Sequence, residues 1–352
     1  MSEQTSRSSF PDERRADLAL TLVADVGTVT HRQLIERFCT ASQALDAAFA
    51  PDVARGAYAE ADAMLERSIA SGLTLTTRSD ASYPEPLRDL RDPPAVLWSA
   101  GDWNTLRSPV VAIVGTRRAT SYGLRMTREI ASALARGGAC VVSGMALGID
   151  ASAHRAALDV NGRTVAVLGT GADVAYPRAH LALHREIIGR GLVLSELPPG
   201  SHSDRGSFPR RNRIIAGLAR LTIVIEAPIR SGALITATDA IELGRDVAVV
   251  PGPIDSPQSH GSNELIREGA HPITSIADAL SLVGLDAQPR GSPVLESESE
   301  SRIWNALAER VASLDQLCSR AGLPVTQCLT AVTALELRGL VECALTGEIR
   351  RR

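Results

Sequence analysis

The sequence contains no lysine, since all 37 residues counted as Lys plus Arg among its 352 residues are Arg. A Walker-type phosphate loop needs a lysine after its glycines, and a Schiff-base enzyme needs a lysine amine. The sequence therefore excludes both classes. Any cationic contact with phosphate must come from guanidinium groups, whose planar fork suits phosphate oxygens and also stacks on flat rings.

Cysteines and long apolar runs are also scarce. The five cysteines are widely spaced and never form a CxxC pair, which argues against a disulfide framework or a zinc site and favours a reducing compartment. No apolar run reaches the ~18 residues that a membrane helix requires. Residues 1–15 are polar and lack the apolar segment of a signal peptide. We therefore expect a cytoplasmic protein without a membrane segment or a metal site.

Aromatic residues make up only 3% of the sequence. Between residues 109 and 285 they are Tyr122, Tyr176 and Phe208, and each follows a strand pattern and lies beside glycine and arginine motifs. Proteins that bind single strands pair a basic groove with stacking aromatics, each stack contributing roughly 1–3 kcal/mol. Base stacking by Phe208 or Tyr122 and plain packing both remain open at this point.

The remaining composition is that of a folded globular protein, with 44% hydrophobic and 22% charged residues. The length predicts two or three domains of about 100–200 residues each. The net charge is −3, yet residues 109–285 carry 18 Arg against 15 acids, whereas residues 1–108 carry 11 Arg against 16 acids. An anionic partner is therefore expected to bind the middle of the chain.

From residue 109 onward, short Val/Ile/Leu runs alternate with helical patterns. The runs are Val110–Val114, Cys140–Ser143, Thr164–Leu168, Leu192–Ser195, Leu221–Ile225 and Val247–Val250. Continuous apolar strands that alternate with helices are typical of a parallel sheet buried on both faces. The sequence predicts an α/β fold with a Rossmann-like, doubly wound parallel sheet over residues 81–285.

Two smaller domains are expected to flank this core. Residues 1–80 predict a helical domain, SAM-like or helix-hairpin-helix-like, with helices over Arg14–Val23, Arg32–Phe38 and Ala57–Ile69. The Asp25–Thr28 turn has one glycine and nearby acids, which favours a structural or protein-contact role over DNA binding. Residues 286–300 form a polar linker.

The last segment, residues 301–352, predicts a winged helix. It has helical patterns over Ile303–Glu309, Leu314–Arg320 and Val325–Leu337, followed by a hairpin around Thr346-Gly347.

Glycine recurs where the predicted strands end, as in Gly115-Thr116-Arg117-Arg118, Ser143-Gly144 and Gly169-Thr170-Gly171. Gly148 follows the second strand closely. The carboxyl ends of parallel strands meet at one edge of a sheet, where glycines let backbone amides approach an anion. We therefore predict an anion site at this edge.

A second basic motif is Phe208-Pro209-Arg210-Arg211-Asn212-Arg213, within a stretch from Arg205 to Arg220 that has five Arg and no acid. It runs directly into an apolar segment, so part of it should face ordered structure. A further helix begins at Ser231-Gly232, where Ser231 fits an N-cap and the glycine exposes amides.

No set of residues resembles a catalytic centre. Asp150 and His154 share a helix face at i, i+4, where a cap and a buried histidine are the simpler interpretation. Glu196 and Glu226 end strands and could act as acid or base, or bind loop amides. The GxGxxG fingerprint is absent after the first strand, which argues against NAD. We expect no catalytic residue, no metal and no cofactor.

Several motifs occur together in a fixed order. They are Val114-Gly115-Thr116-Arg117, Ser143-Gly144-x-Ala146-x-Gly148-Ile149-Asp150, Tyr176-Pro177, Ser195-Glu196, Phe208-Pro209-x-Arg211-Asn212-Arg213, Ser231-Gly232 and Val250-Pro251-Gly252. Over roughly residues 80–282 this combination resembles the DprA/Smf family, the DNA-processing proteins of bacterial transformation. The flanking domains resemble the family's variable domains more loosely.

The resemblance implies a homodimeric single-stranded-DNA-binding protein without catalytic activity. Such proteins protect incoming single strands and load the recombinase RecA during natural transformation. The residues that are then expected to contact DNA are Gly115, Thr116, Arg117, Arg118, Tyr122, Ser143, Gly144, Gly148, Phe208, Arg210, Arg211, Asn212, Arg213, Ser231 and Gly232. Arg118 and Arg210 stand where relatives often have Lys, which keeps the charge.

Two alternatives stay open. A nucleotide or phosphoribosyl hydrolase could use the same glycine loops, with Glu226 as acid or base. However, Ser231–Thr236 lacks the Gly-Gly-x-Gly-Thr stretch and the catalytic Glu of such enzymes. A winged-helix transcription regulator is the other alternative, although the predicted second helix has Arg338 beside Glu336 as its only basic residue.

Overall fold

A computed structural model of the chain describes residues 12–107, 109–204, 206–285, 295–307, 312–344 and 347–351. The chain divides into two compact units, residues 1–287 and residues 288–352. Within the described ranges, no helix has both the length and the apolar character needed to cross a bilayer.

The first unit begins with a helical domain. Its helices are α1 (Asp12–Leu22), α2 (Thr28–Phe38), α3 (Ala41–Ala48) and α4 (Pro51–Ala70). The sequence did not predict α3, a short alanine-rich helix whose N-cap Thr40 accepts a hydrogen bond from the Gln43 amide. Helix α4 starts six residues before the predicted helix, because Pro51 fits the first helical turn. The four helices pack around alanine and leucine side chains.

A nine-stranded sheet forms the centre of the first unit. Its strands are β1 (Thr74–Thr77), β2 (Val96–Gly101), β3 (Val110–Gly115), β4 (Cys140–Ser143), β5 (Arg163–Leu168), β6 (Leu192–Ser195), β7 (Leu221–Ile225), β8 (Asp246–Val250) and β9 (His271–Pro272). Their spatial order is β1-β2-β6-β5-β4-β3-β7-β8-β9. The six predicted strands are β3 to β8, and all of them pair in parallel. Strands β1 and β2 add an antiparallel edge.

Helices cover both faces of this sheet. They are α5 (Ser121–Arg136), α6 (Ile149–Asp159), α7 (Leu181–Arg190), α8 (Ser207–Leu218), α9 (Gly232–Glu242), α10 (His260–Arg267) and α11 (Ile276–Ser281). Helices α5, α6 and α11 share one apolar cluster, while α8 and α9 share another across the sheet. The chain runs from β3 outward to β6 and then returns to β7 on the other side of β3. This reversal creates a crevice at the carboxyl ends of β3 and β7, the usual ligand position in doubly wound sheets.

The predicted boundary at residues 80 and 81 requires a correction. Strand β1 (Thr74–Thr77) lies in the sheet and pairs with β2, so the sheet domain begins directly after α4. Strand β1 has little sequence signal, because its four residues are three threonines and one leucine.

The second unit is a winged helix, as predicted. It consists of α12 (Glu298–Ala306), β10 (Ala312–Ser313), α13 (Leu314–Ala321), α14 (Val325–Leu337), β11 (Val341–Cys343) and β12 (Glu348–Arg351). The three strands form one antiparallel sheet in the order β10-β12-β11. Gly322 adopts a left-handed conformation (φ 62°) and ends α13 before the turn into α14.

The predicted linker, residues 286–300, is only partly a linker. Residues 286–294 lie outside the described residues, but α12 already begins at Glu298. Ser297 caps this helix by accepting from the Glu300 amide at 3.1 Å. The acids that suggested a solvated linker therefore occupy a first helical turn, where negative charge is favoured by the helix dipole.

Candidate nucleic-acid interface

A cleft of about 350 Å³ opens at the carboxyl edge of the sheet, between the ends of β3 and β7. We call it the edge cleft. Its lining includes Gly115, Arg117, Asp150, Phe208, Arg211, Asn212, Ser231 and Gly232. The structure therefore brings together residues from four of the five predicted motifs, because the loops after β3, β4 and β7 and the start of α8 meet at one edge; the Gly169–Gly171 loop does not line the cleft.

An arginine and two aromatic rings form the mouth of the cleft. The exposed Arg117 guanidinium lies 5.4 Å from the centre of the Phe208 ring, within cation–π range. The Phe208 ring lies 5.1 Å from the Tyr176 ring at an angle of 40°. Gly169 makes room for this arrangement, since a Cβ there would lie 2.9 Å from Phe208 Cδ1. Tyr176 is 42% exposed. Because aromatic residues are scarce in this part of the sequence, its position beside a glycine motif was a signal that it could belong to the site.

Arg211 differs from its expected role as a direct phosphate ligand. Only 6% of the residue is exposed, and its Nη1 donates to the carbonyl oxygens of Gly144 (2.7 Å) and Val167. Nε donates to the side-chain oxygen of Asn212. Arg211 therefore forms the floor of the cleft and holds together the ends of β4 and β5.

Asp150 lies beside Arg211 under the cleft. Asp150 lies in the first turn of α6, and its carboxylate accepts hydrogen bonds from the amides of Gly144 (3.2 Å) and Ala146 (3.4 Å) in the preceding loop. Burial raises the pKa of Asp150, although the positive charge of Arg211 opposes this shift. Burial likewise lowers the pKa of Arg211 to about 10, which leaves it protonated at neutral pH. The two groups stabilise the loop that carries the cleft glycines.

The other two arginines of the Phe-Pro motif point away from Arg211. Arg213 is tied to Glu196 (2.7 Å) and lies 3.7 Å from Asp92, so it anchors α8 to the connector before β2 and lies outside the cleft. Its expected DNA contact stays a prediction, and these ion pairs would have to open for it. The side chain of Arg210 is 58% exposed, with Glu196 only at 3.7 Å. Of the three, Arg210 alone presents its charge to solvent.

The glycines of the first two loops are required by internal packing. A Cβ at Gly115 would lie 2.0 Å from the Ile225 carbonyl, and one at Gly144 would lie 2.4 Å from the Arg211 guanidinium. A Cβ at Gly148 would lie 2.4 Å from the Thr116 carbonyl. Internal packing therefore explains why these three positions are glycine, and their expected contact with DNA stays a prediction. Gly232 differs, since nothing lies within 4 Å of a Cβ there.

Three further predicted site residues bind the protein itself. Ser143 is fully buried and donates to the Ile113 carbonyl (2.6 Å). The Thr116 hydroxyl donates to the Gln258 side chain (3.1 Å), and its oxygen accepts from the Arg118 amide. The Tyr122 hydroxyl, at the start of α5, donates a hydrogen bond to the Pro251 carbonyl (2.8 Å). These contacts give all three residues a structural role.

The start of α9 forms the opposite wall of the cleft. Ser231 is the predicted N-cap, and its side chain accepts from the Ala233 amide at 3.2 Å. Asn212 donates to the Gly232 carbonyl (3.2 Å) and so joins α8 to α9. A helix N-terminus carries partial positive charge and favours anions. Together with Arg117, it makes the cleft mouth suited to a phosphate group.

The residues considered for acid–base chemistry, Glu226 and His154, have structural partners. Glu226 is 3% exposed and accepts from the Thr120 amide (2.8 Å) and the Thr120 hydroxyl. His154 is fully buried 2.7 Å from the Thr164 hydroxyl, and burial lowers its pKa to about 3. No group of His, Cys, Asp and Glu within the described ranges is arranged to hold a metal ion.

The fold and the cleft define a class of proteins, those with a doubly wound sheet domain that carries an edge cleft and is flanked by helical and winged-helix domains. Within this class the chain belongs to the DprA/Smf family. Residues 74–284 match the family model of DNA recombination-mediator protein A, residues 287–344 match the DprA winged helix domain, and residues 11–71 match the DprA-like N-terminal HHH domain.

Curated relatives agree with this assignment. The chain is 46% identical to protein Smf of Synechocystis over 231 residues, which cover 64% of this chain and 56% of that protein. It is 42% identical to a putative DNA processing protein DprA of Mycobacterium tuberculosis over 260 residues, covering 71% and 67% of the two chains. The chain thus spans little more than half the length of the Synechocystis relative.

Two solved structures share the fold. DprA of Streptococcus pneumoniae is 37% identical, with a TM-score of 0.65 over 76% of this chain and 95% of that chain. DprA of Helicobacter pylori is 34% identical, with a TM-score of 0.54 over 59% of this chain and 94% of that chain. The Helicobacter protein is described by its single-stranded DNA binding mode.

Proposed function

We propose that this protein binds single-stranded DNA at the edge cleft, without dependence on sequence, and acts in DNA processing during natural transformation. The observation that carries the proposal is the exposed Arg117 guanidinium over Phe208, with Tyr176 beside it, at the cleft mouth. A cation beside stacking rings is the combination that proteins use to bind single strands. The Helicobacter relative described by its single-stranded DNA binding mode supports the same ligand.

In this proposal, the backbone and the bases bind different parts of the cleft mouth. A phosphate binds between Arg117 and the N-terminus of α9 at Ser231-Gly232. Arg118 and Arg210, both exposed, bind neighbouring phosphates. A base stacks on Phe208 or Tyr176, and since every base has a flat face, this contact selects no particular sequence.

A binding titration with fluorescent oligo-dT at several salt concentrations tests the proposal. If Z phosphates are neutralised, log affinity should fall with log salt at a slope of about −0.7Z. Oligo-dT and oligo-dC should bind with similar affinity, and duplex of the same length should compete poorly. An absence of binding at low salt would refute the proposal. Incubation with nucleoside monophosphates, followed by detection of released base, tests the hydrolase alternative in the same preparation.

We further propose that the protein protects incoming single strands as a homodimer and loads RecA onto them. Family membership supports this part of the proposal. Light scattering gives the mass of the particle in solution, and a RecA filament nucleation assay on strands coated with a single-strand-binding protein tests the loading. The expected result is a dimer that shortens the nucleation lag, whereas an unchanged lag would contradict the loading role.

The winged-helix regulator is the less favoured alternative. Helix α14 occupies the position that reads a major groove in helix-turn-helix proteins. Its only charged residue is Glu336, and its exposed side chains include Val325, Leu329 and Leu337. A helix without a positive charge is poorly suited to a duplex, because phosphate neutralisation provides most of non-specific DNA affinity.

A further inference from the structure

The exposed side of α5 carries an unusual set of charges. Arg125, Arg128 and Arg136 are all exposed, and because a helix turns by about 100° per residue they lie along one side of it. Ser121 lies one turn before Arg125, and Ser132 lies between Arg128 and Arg136. Glu129 is the one acid in this helix. We call this side of the helix, defined by the three arginines, the α5 ridge.

Arginines on several other surface helices are neutralised within the same helix. Arg32 is paired with Glu36, Arg190 with Glu186 and Arg302 with Glu298, each at i, i+4 spacing. The α5 ridge is different: among the described residues, none of its arginines is within ion-pair distance of a carboxylate. Arg125 has Glu129 at the same spacing, yet its guanidinium lies 5.6 Å from the Tyr122 ring centre instead. The three arginines therefore form no ion pair, and with Glu129 as the one acid on the same side of the helix the ridge keeps an excess of positive charge.

The helix that carries the ridge starts at the same edge of the sheet as the cleft. Helix α5 follows β3, so its N-terminus lies at the carboxyl edge of the sheet, and Arg117 and Arg118 lie in the connecting loop. The helix then runs down the face that it shares with α6 and α11. At 1.5 Å per residue, Arg125 and Arg136 are about 16 Å apart along the axis. The edge cleft is lined by α8 and α9 on the opposite face of the sheet, so a strand that continues from the cleft onto the ridge has to cross the loop that carries Arg117 and Arg118.

We propose that the α5 ridge is a second phosphate-binding surface, along which a single strand that occupies the edge cleft continues; this inference rests on the proposed function. The ligand is the sugar–phosphate backbone of single-stranded nucleic acid. The ridge contacts the backbone and not the bases, because Tyr122 is the one aromatic residue of α5, is only partly exposed and has its hydroxyl bound to Pro251. Guanidinium groups bind phosphate oxygens through charge-assisted hydrogen bonds. Strands too short to leave the cleft do not use the ridge.

The test compares short and long oligo-dT with the full chain and the double variant Arg125→Gln/Arg128→Gln. Affinity for the short strand should be unchanged. Affinity for the long strand should fall about fivefold to tenfold at low salt, and its salt slope should become shallower by about 1.4, which is 0.7 for each lost contact. Adding Arg136→Gln should reduce the slope by about 0.7 more.

The matched control is Arg55→Gln/Arg67→Gln, which removes the same charge from the exposed side of α4 and should leave both affinities unchanged. Thermal unfolding of each variant excludes a folding defect. The inference is overturned if the ridge variant binds the long strand as the unmodified protein does, or if it weakens both strands equally. Loss of RecA binding with normal long-strand binding would also overturn it, by making the ridge a protein contact. If the unmodified protein binds neither strand, the proposed function fails instead.

Discussion

The edge cleft and the winged-helix domain both contain arginine, but they use it differently. Around the cleft, Arg117 and Arg118 are exposed, and Arg117 lies over an aromatic ring. In the winged helix, Arg302 and Arg350 form ion pairs with Glu298 and Glu342. Arg338 is paired with Glu300. The comparison teaches that the number of arginines does not locate an anion site, because a paired guanidinium has already lost most of its attraction for phosphate.

The largest expected effect is from Arg211→Ala, which removes a buried charge from beneath the cleft. The buried Asp150 would lose its compensating cation, and the carbonyls of Gly144 and Val167 would lose their donor. The free energy of unfolding should fall by about 3 kcal/mol, measured by urea denaturation, and DNA binding should fall with it. Arg210→Ala is the matched control on the next residue and should change stability by less than about 0.5 kcal/mol. Equal effects of the two substitutions would contradict the assignment.

Acid should destabilise the first unit, residues 1–287, more than the second unit, residues 288–352. His154 has an ordinary pKa of 6.5 when unfolded and a pKa of about 3 when folded, so between these values the unfolded state binds the extra proton. The contribution of neutral His154 to the free energy of unfolding is therefore fully present above pH 6.5. It decreases as the pH falls toward 3, by about 2 kcal/mol at pH 5.

The sequence of the second unit, residues 288–352, contains no histidine. Differential scanning calorimetry at pH 7 and pH 5 should therefore show that the melting temperature of the first unit falls more than that of the second unit. The variant His154→Gln should reduce that difference. A uniform shift of both transitions would argue against this cause.

Arg117→Ala should weaken single-strand binding about tenfold to hundredfold, since it removes a charged phosphate contact and the cation beside Phe208. The effect should be the same for all sequences, as measured by anisotropy with oligo-dT and oligo-dC. Arg350→Ala in the winged helix is the control, with little or no expected change. If Arg350→Ala weakens binding as much as Arg117→Ala does, the distinction between the two regions is lost.

Phe208→Leu should have a smaller effect, about tenfold at most, because leucine keeps the packing against Gly169 but cannot stack on a base. Phe208→Tyr should bind as the unmodified protein does. The salt slope should stay the same in both variants, since no phosphate contact is lost. A change of slope with Phe208→Leu would mean that the substitution also displaces Arg117.

The smallest expected effect belongs to the winged helix. Arg302→Gln/Arg350→Gln exchanges two arginines whose charge is already neutralised by a carboxylate and that neutralise no phosphate in the proposed function, so single-strand affinity should change by less than about twofold. The same titration measures it. A large loss of affinity would show that these pairs open to bind DNA.

Much of the fold could be predicted from local patterns. The bounds of β4, β6 and β7 match the predicted strands at both ends, since a strand buried on both faces is read from its near-continuous apolar run. Strand β1 and helix α3 were missed because they are short and owe their stability to tertiary neighbours. The start of α12 was missed because its capping serine lies in a run of serines and acids that is also typical of linkers.

The site could be predicted only in part, and α8 explains why. Arg210, Arg211 and Arg213 are close in sequence, but steps of about 100° direct them outward, inward and toward Glu196. A signal for Arg211 was available, because it lies three and four residues before the buried Ile214 and Ile215 and therefore shares their face.

The sequence by itself determined the parallel sheet, the flanking domains and the edge at which the loops meet, because these depend on hydrophobic periodicity and on the direction of the strands. It also determined that every cationic side chain at the cleft other than histidine is Arg. Only the tertiary structure decided which guanidinium groups face solvent. That choice depends on the rotation of each helix against the sheet and on acids distant in sequence, such as Glu196 and Asp150, which no local pattern encodes.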